Sequence, residues 1–515
     1  MHDSREIRIT LIALVGFVLG VYWLLAPAHP LSTPDEELNF RTTLSLLEGH
    51  RGAVPPLPGG FASKQGIDGR QYAQYGLGVP LAAAPWCGLG RLIVPDEIDF
   101  GEWLQSAGPF SPPSEVALQA EADLAFLRQW MVFFTFIIAA ACVALVYVIV
   151  LRCGVPPPLA LMSALLYAFA SYQWQHGSTF FTEPLATLGL LAGVWALLRW
   201  RETGVWKWVL LGGVFWAYAI LTRLDTLVTA PAALWLMSIA PGNSGRIRLS
   251  IDWRNWLIFG APIVLVLISI LLYNQYRFDS FFSTGYEDQT EGIRFATPLL
   301  VGLHGFFFTP GRSLFLYTPP AVLAFWGLAP LWKRDRWLAG GLLLLVLGYL
   351  LVMSKWQNWA GGYDWGPRHL FQITPFLIIW AAVGWHHLRE RGHDWLRFLV
   401  LGLALVGIGM QLLGLAIEPV EAIRTYLQRW PNESLGGALS THAVMMQFMI
   451  YLPQFSPPVL HAQMLANQGA DLLLIDLAGR GSAVAGWMLI PAAMTAGFGI
   501  ALGKQYSRMR AKGSR

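Results

Sequence analysis

The segment Thr33-Pro34-Asp35-Glu36 places two adjacent carboxylates where a helix should start, a position whose local dipole keeps an acid ionised and able to accept a proton. Thr33 can cap that helix, Pro34 suits its first position, Glu36 completes a capping box and Gly49 is available as the stop. Capping alone explains an acid in a first turn. Glu36 has the stronger structural duty, which leaves Asp35 as the candidate base. Two arginines offer the complementary chemistry, because Pro310-Gly311-Arg312 and Gly366-Pro367-Arg368 each lead into an apolar run. A cation in a first helical turn opposes the dipole, and an anion held by backbone N–H groups and a forked guanidinium would resolve the conflict. A phosphate or pyrophosphate fits that description. The competing explanation is that each arginine snorkels to lipid headgroups or pairs with a local acid. Lys355 and Arg277 are further candidates of the same kind.

The elements that must position these residues are membrane helices. With 55% hydrophobic and 13% charged residues, the 515-residue chain is an all-α polytopic membrane protein. Apolar runs long enough to cross a bilayer begin near Ile9, Trp130, Leu159, Leu185, Trp208, Leu224, Trp256, Leu314, Trp337, Leu370, Leu396 and Ala485, which predicts about twelve spans. The first is flanked by Arg5 and Arg8, lacks a small-residue cleavage site and is expected to be retained. With the N-terminus inside, Arg199/Arg201/Lys207, Arg246/Arg248/Arg254, Lys333/Arg334/Arg336, Arg389/Arg391 and the basic tail from Lys504 all fall on the cytoplasmic side. Letting the Gly- and Pro-broken run from Leu77 to Val94 span would invert that placement, so it is read as interfacial. The net charge of +4 therefore reports orientation, and nucleic acid is not an expected partner.

This topology leaves long segments outside: roughly 28–128, 273–313, 354–368 and 418–482. The chain divides into a transmembrane module over 1–417 with its first outer loop at 28–128, an outer segment over 418–482, and a last helix with a basic tail over 483–515. Leu299 to Phe308 and Val444 to Leu452 are too short to span and should lie in the interface or re-enter. Glu183, between the third and fourth spans in Phe181-Thr182-Glu183-Pro184, has to face a polar cavity or a partner because exposure to lipid is costly. Arg223 and Asp225, at the next outer turn, read as a local opposite-charge pair. Rings at Trp356, Trp359, Tyr363 and Trp365 suit stacking on a sugar or prenyl chain, and equally suit an interfacial aromatic belt. His304 and His369 show no ligand spacing, and Cys87, Cys142 and Cys153 support neither a disulfide framework nor a metal site.

These motifs together resemble the C-type membrane glycosyltransferases, specifically the polyprenyl-phosphate-sugar-dependent group that includes protein O-mannosyltransferases and lipid A aminoarabinose transferases. The resemblance rests on Pro34-Asp35-Glu36, Asp68-Gly69-Arg70-Gln71-Tyr72, Tyr75-Gly76-Leu77-Gly78 and Phe181-Thr182-Glu183-Pro184. It continues through Asn274-Gln275-Tyr276-Arg277-Phe278, Thr284-Gly285-Tyr286, Pro310-Gly311-Arg312-Ser313-Leu314-Phe315 and Trp365-Gly366-Pro367-Arg368-His369. It implies transfer of a sugar from a polyprenyl-phosphate carrier to a lipid, glycan or protein acceptor in the bacterial inner membrane, at a site facing the periplasm or exterior. Asp35 and Glu183 match the acids of the first and second outer loops, and Tyr72, Tyr286, Trp359 and Tyr363 are the expected substrate-binding rings. No family motif covers the segment from residue 418, which leaves acceptor recognition open.

Such a reaction needs a base for an acceptor hydroxyl, stabilisation of a departing phosphate, and alignment of the two. Asp35 would take the proton, Glu36 and Glu183 would support it, and Arg312 and Arg368 with Lys355 and Arg277 would hold the phosphate. Direct displacement with inversion is the simplest course. No cofactor is expected. The first loop has no Asp-X-Asp signature, so a metal-independent reaction is expected, with a divalent metal left open. The alternatives are a transporter or lipid flippase, which would show repeats or broken midplane helices, and an oligosaccharide polymerase or ligase, whose chemistry would shift to 418–482. The orientation is directly testable: a cysteine placed at Asn358 is expected to react with a membrane-impermeant thiol reagent added to intact cells, and one at Ser244 is not. Labelling of the opposite sidedness would overturn the topology.

Overall fold

The computed structural model describes residues 4–94, 98–106, 123–241, 247–249, 252–287, 295–362, 364–393, 395–428, 441–480 and 486–513. Helices dominate, with two short antiparallel strand pairs among the described residues, Ser63–Gln65 with Gln71–Ala73 and Ile239–Pro241 with Ile247–Leu249. Six helices are long and apolar enough to cross a membrane: Arg5–Leu24, Ala125–Arg152, Trp253–Phe278, Arg336–Lys355, Leu396–Ala416 and Gly486–Lys512. The Trp253–Phe278 helix turns Leu257, Leu265 and Leu272 outward, each more than half exposed, as a lipid-facing helix must.

The other predicted spans are helical but shorter, broken or less apolar. Pro157–Phe169 stops after 13 residues and gives way to the short Gln173–His176 turn. The run from Leu224 opens as a 3-10 turn, Leu224–Thr229, before continuing as Ala230–Ser238. The run from Leu314 is divided into Leu314–Tyr317, Pro319–Trp326 and Leu328–Arg334, because adjacent prolines at 319 and 320 remove two donors from a continuous helix. Composition reveals the apolar length of such a run, whereas prolines decide how it is divided.

The Glu183–Thr203 helix defines the two ends of the molecule, with Glu183 at one and Arg201 at the other. At the Arg201 end, ion pairs join Arg152 and Arg199 to Glu202, each at 2.8 Å, and Arg201 to Asp335 at 2.9 Å. They involve two of the basic clusters assigned to inner loops, the one at Arg199 and Arg201 and the one around Asp335, at the end of this helix opposite Glu183. The Leu77–Val94 run forms the helix Gly78–Ile93 with Pro85 inside it, at 16 residues shorter than a spanning helix. It packs through Val79, Ala83 and Cys87 beneath the Pro34–Leu47 helix, and Trp86 stacks on Trp130 at 4.6 Å.

The two apolar stretches too short to span lie in short helices, Leu299–Phe308 and Thr441–Tyr451. The segment beyond residue 418 is tied to the rest of the chain: Asp471 N–H donates to Ala416 O at 2.7 Å, Leu473 N–H donates to Ala26 O at 2.9 Å, and His461 lies 4.5 Å from the Trp365 ring.

The first outer loop is fixed to the bundle by Glu37. Its carboxylate accepts from Arg41 Nε at 2.8 Å and from Arg128 Nε and Nη2 at 3.0 and 2.9 Å, joining the Pro34–Leu47 helix to the start of Ala125–Arg152. Burial alone would raise this carboxyl, but Arg41 and Arg128 outweigh it and hold it at about 2 against an ordinary 4.5. A folded value below the unfolded one contributes stability above pH 4.5 that is lost as pH falls towards 2, about 3 kcal/mol for a gap of this size. Glu37→Gln is therefore expected to unfold at a markedly lower temperature at pH 7, and the difference from wild type should shrink below pH 4.5, as read by thermal unfolding in detergent.

Candidate active site

Asp35 lies in the first turn of the Pro34–Leu47 helix, whose predicted capping box is present: Glu36 N–H donates to Thr33 Oγ1 at 3.4 Å, and Thr33 N–H donates to Glu36 Oε2 at 3.2 Å. Glu36 does more than cap, since its Oε1 accepts Phe180 N–H at 2.9 Å and so ties this helix to the turn before Glu183. Its carboxyl is buried, and burial pushes it up to about 7. Asp35 faces elsewhere. Its Oδ1 accepts the Tyr75 hydroxyl at 2.5 Å, and its Oδ2 pairs with Arg368 Nη1 at 2.9 Å.

Arg368 is the hub of the site. Besides Asp35 it pairs with Asp364 at 2.8 Å through Nη1 and approaches Glu183 at 3.6 Å through Nε, while its guanidinium lies over the Phe181 ring at 5.2 Å. Glu183, 1% exposed, is also ion-paired to Arg223. Arg223 keeps the predicted partner Asp225 at 2.6 Å, and Asp225 accepts the Tyr349 hydroxyl at 2.9 Å. Four carboxylates, Asp35, Glu183, Asp225 and Asp364, thus share two guanidiniums. Full ionisation would leave an excess of negative charge. Burial pushes Asp364 up to about 6, with the nearby carboxylates adding to burial and Arg368 opposing it. His369 is buried beside the cluster with neither ring nitrogen hydrogen-bonded, and burial followed by Arg368 pushes it down to about 3.

Local sequence explains these placements. Gly366 has φ +75°, a left-handed conformation suited to glycine, and its turn delivers Arg368 to the cluster. A Cβ at Gly76 or Gly78 would lie 2.4 Å from Leu221 O or 2.1 Å from Thr222 Oγ1, so only glycine lets the segment after Tyr75 lie against the Trp206–Thr222 helix end.

Of the residues singled out from sequence, Asp35, Glu183 and Arg368 converge, Glu36 adjoins them, and Tyr286 meets Tyr75 edge-on at 6.3 Å. The others lie apart. Arg312 spends its fork on carbonyls, with Nε to Ala360 at 2.5 Å, Nη1 to Gly311 at 2.9 Å and Nη2 to Gly362 at 2.6 Å, and so braces the loop before Asp364. Arg277 donates to Ala73 O and Asn274 Oδ1 at 2.9 and 2.8 Å and lies over Tyr273 and Phe278. Tyr72 donates to Asp68 at 2.8 Å in the strand pair, Trp359 packs edge-on to Phe306 at 5.4 Å, and Lys355 is exposed at its helix end. Tyr363 lies outside the described residues.

Sequence reading passed over Tyr75, Asp364 and the reach of Arg223 to Glu183. Asp364, four residues before Arg368, was the available signal, a spacing that allows pairing within one turn of structure. Among the described residues no three His, Cys, Asp or Glu side chains form a metal-holding group.

The fold and site together describe a multi-pass helical membrane protein with a buried cluster of acids and arginines at one end. Residues 122–273 match the family model described as dolichyl-phosphate-mannose-protein mannosyltransferase, so over that segment the chain is similar to that family, in agreement with the resemblance carried by the motifs. No curated protein gives a significant match. Among solved structures, ArnT from Cupriavidus metallidurans, crystallised bound to undecaprenyl phosphate, is similar at 13% identity and a TM-score of 0.45 over 98% of this chain and 78% of that one.

The proton on Glu36 makes the site end sensitive to pH in the direction opposite to Glu37. A folded value near 7 against an ordinary 4.5 means that stability is greatest below pH 4.5 and falls as pH rises through 7, by about 1.4 kcal/mol per pH unit. Glu36→Gln, neutral throughout, is expected to remove that slope, so thermal midpoints of variant and wild type should move in the variant's favour between pH 5 and 8. Parallel curves would show that Glu36 is ionised in the folded protein.

Proposed function

We propose that the chain is a lipid-carrier-dependent glycosyltransferase that moves a sugar from a polyprenyl phosphate to an acceptor hydroxyl on the extracytoplasmic side, with Asp35 as the general base. The family similarity over residues 122–273 supports the class. The observation that carries the residue assignment is the shared guanidinium: Arg368 holds Asp35, Asp364 and Glu183 together at the end of the Glu183–Thr203 helix opposite Arg201. A membrane protein keeps buried ionisable groups in such number where they meet a substrate or each other, and here a single arginine serves three acids.

The arrangement couples donor arrival to base activation. A carrier phosphate competes with carboxylates for the Arg368 fork, and each oxygen it takes releases Asp35 or Asp364. Asp35, freed from its ion pair and still steadied by Tyr75, becomes the stronger base. The acceptor O–H gives its proton to Asp35, the acceptor oxygen bonds to the anomeric carbon, and the carbon–oxygen bond to phosphate breaks with its electron pair on the phosphate. The configuration inverts. Arg368 compensates the charge that develops on the departing phosphate. Glu183, pinned by Arg223, fixes the position of Arg368 and takes no proton. The reaction calls on no metal, and the acceptor belongs to the lipid, glycan or protein classes.

Asp35→Asn is expected to lower single-turnover transfer about 100- to 10,000-fold while donor affinity is kept or raised, because the base is lost and Arg368 is left with one fewer competing carboxylate. Arg368→Lys keeps the charge but loses the planar fork, and should weaken donor use as well as transfer. Purified protein with radiolabelled lipid donor provides both readouts. Turnover of Asp35→Asn comparable to wild type would remove Asp35 from the chemistry.

A further inference from the structure

We infer that the small cavity between the first outer loop and the segment beyond residue 418 is the acceptor subsite, and that it takes the hydroxyl-bearing end of a headgroup. This assignment rests on the glycosyltransferase reading. The cavity measures about 50 Å³ and is lined by Glu36, Gln175, Thr179, Asp364, Glu418 and Asp471 among others. That space holds a few waters or a pair of hydroxyl groups, too little for a whole glycan. It is linked to Asp35 through two ion pairs: Asp364 lines it and pairs with Arg368 at 2.8 Å, and Arg368 pairs with Asp35 at 2.9 Å.

The chemistry of the wall selects the occupant. Gln175 is 5% exposed and its Oε1 has no hydrogen-bond partner, an unmet acceptor that a ligand O–H would satisfy. The four carboxyl groups of the wall already have partners, Glu36 with Thr33 and Phe180, Glu418 with the Val420 and Glu421 N–H groups, Asp471 with His29 and Asp364 with Arg368, which leaves Gln175 Oε1 as the unmet acceptor. Hydroxyls suit it better than an ammonium group, because burial raises both Glu36 and Glu418 and so reduces the fixed negative charge. Asp471 is already paired with His29 at 2.7 Å at the rim, which lowers the demand for a second cation.

The test uses the full-length protein in phosphatidylcholine nanodiscs, free of sugar detergents, with three probes: octyl glucoside below its micellar concentration, octylamine, and polyprenyl monophosphate. Saturable octyl glucoside binding is expected by calorimetry, about tenfold weaker in Gln175→Leu, with polyprenyl monophosphate binding unchanged. Thr179→Leu, at a half-buried position, narrows the same space and is expected to weaken glucoside binding similarly, and it decides the matter should Gln175→Leu fail to fold. No saturable glucoside binding, glucoside binding untouched by either variant, or tighter binding of octylamine than of octyl glucoside would each overturn the assignment. Failure of wild type to bind polyprenyl monophosphate would instead count against the glycosyltransferase reading, and the glucoside results would still decide whether the cavity binds hydroxyls.

Discussion

One guanidinium that three carboxylates share is the constraint on which this structure depends. Arg368 lies at a buried junction where Asp35, Asp364 and Glu183 arrive from three separate stretches of the chain, the first loop, the 360s loop and the start of the Glu183–Thr203 helix. A lone buried charge is costly, and removing one member of such a group leaves the others uncompensated. The three stretches are therefore held in register by electrostatics as much as by packing. Arg223 extends the group to Asp225 and Tyr349, and through them to the Arg336–Lys355 helix.

The rest of the outer end keeps that junction in place. Glu37 clamps the first loop to the bundle through Arg41 and Arg128, and Glu36 bridges to Phe180 beside Glu183. Arg312 braces the Asp364 loop by donating to carbonyls at 360 and 362. Trp365, fully buried, rests on Tyr317 edge-on at 5.1 Å and under His461, so the segment beyond 418 presses on the loop that carries Arg368. Each of the three arginines, 312, 277 and 41, uses its planar fork on carbonyl or side-chain oxygens within the protein, a role that lysine fills poorly.

The protons in this network are distributed unevenly, and that unevenness follows from burial against pairing. Glu37 has two arginines and stays ionised down to about 2, whereas its neighbour Glu36 has only neutral donors and is raised to about 7. Asp364 is between them at about 6, pulled up by burial and by the other acids and down by Arg368. Adjacent residues of one helix turn thus have opposite charge behaviour.

The sequence by itself determined the membrane class, the capped helix at Thr33, the apolar stretches at 299–308 and 444–452 as too short to span, and the basic end of the helix that Glu183 begins. These are local or compositional properties: apolar length, cap chemistry and charge bias act within a few residues or along one helix. It also pointed to Glu183 and Arg368, whose residue types are out of place unless they have partners, and to Asp35 as the first-turn acid left over once Glu36 caps the helix. Only the tertiary structure decided who those partners are. Arg312 and Arg368 follow similar glycine- and proline-containing approaches in sequence, yet one reaches carbonyls and the other acids, because the backbone around each offers different oxygens. Tyr75 became a partner of Asp35 across 40 residues, and Arg223 a partner of Glu183 as well as of Asp225. Long-range pairing of this kind depends on how helices are packed and where prolines divide them, and no periodicity along the chain records it.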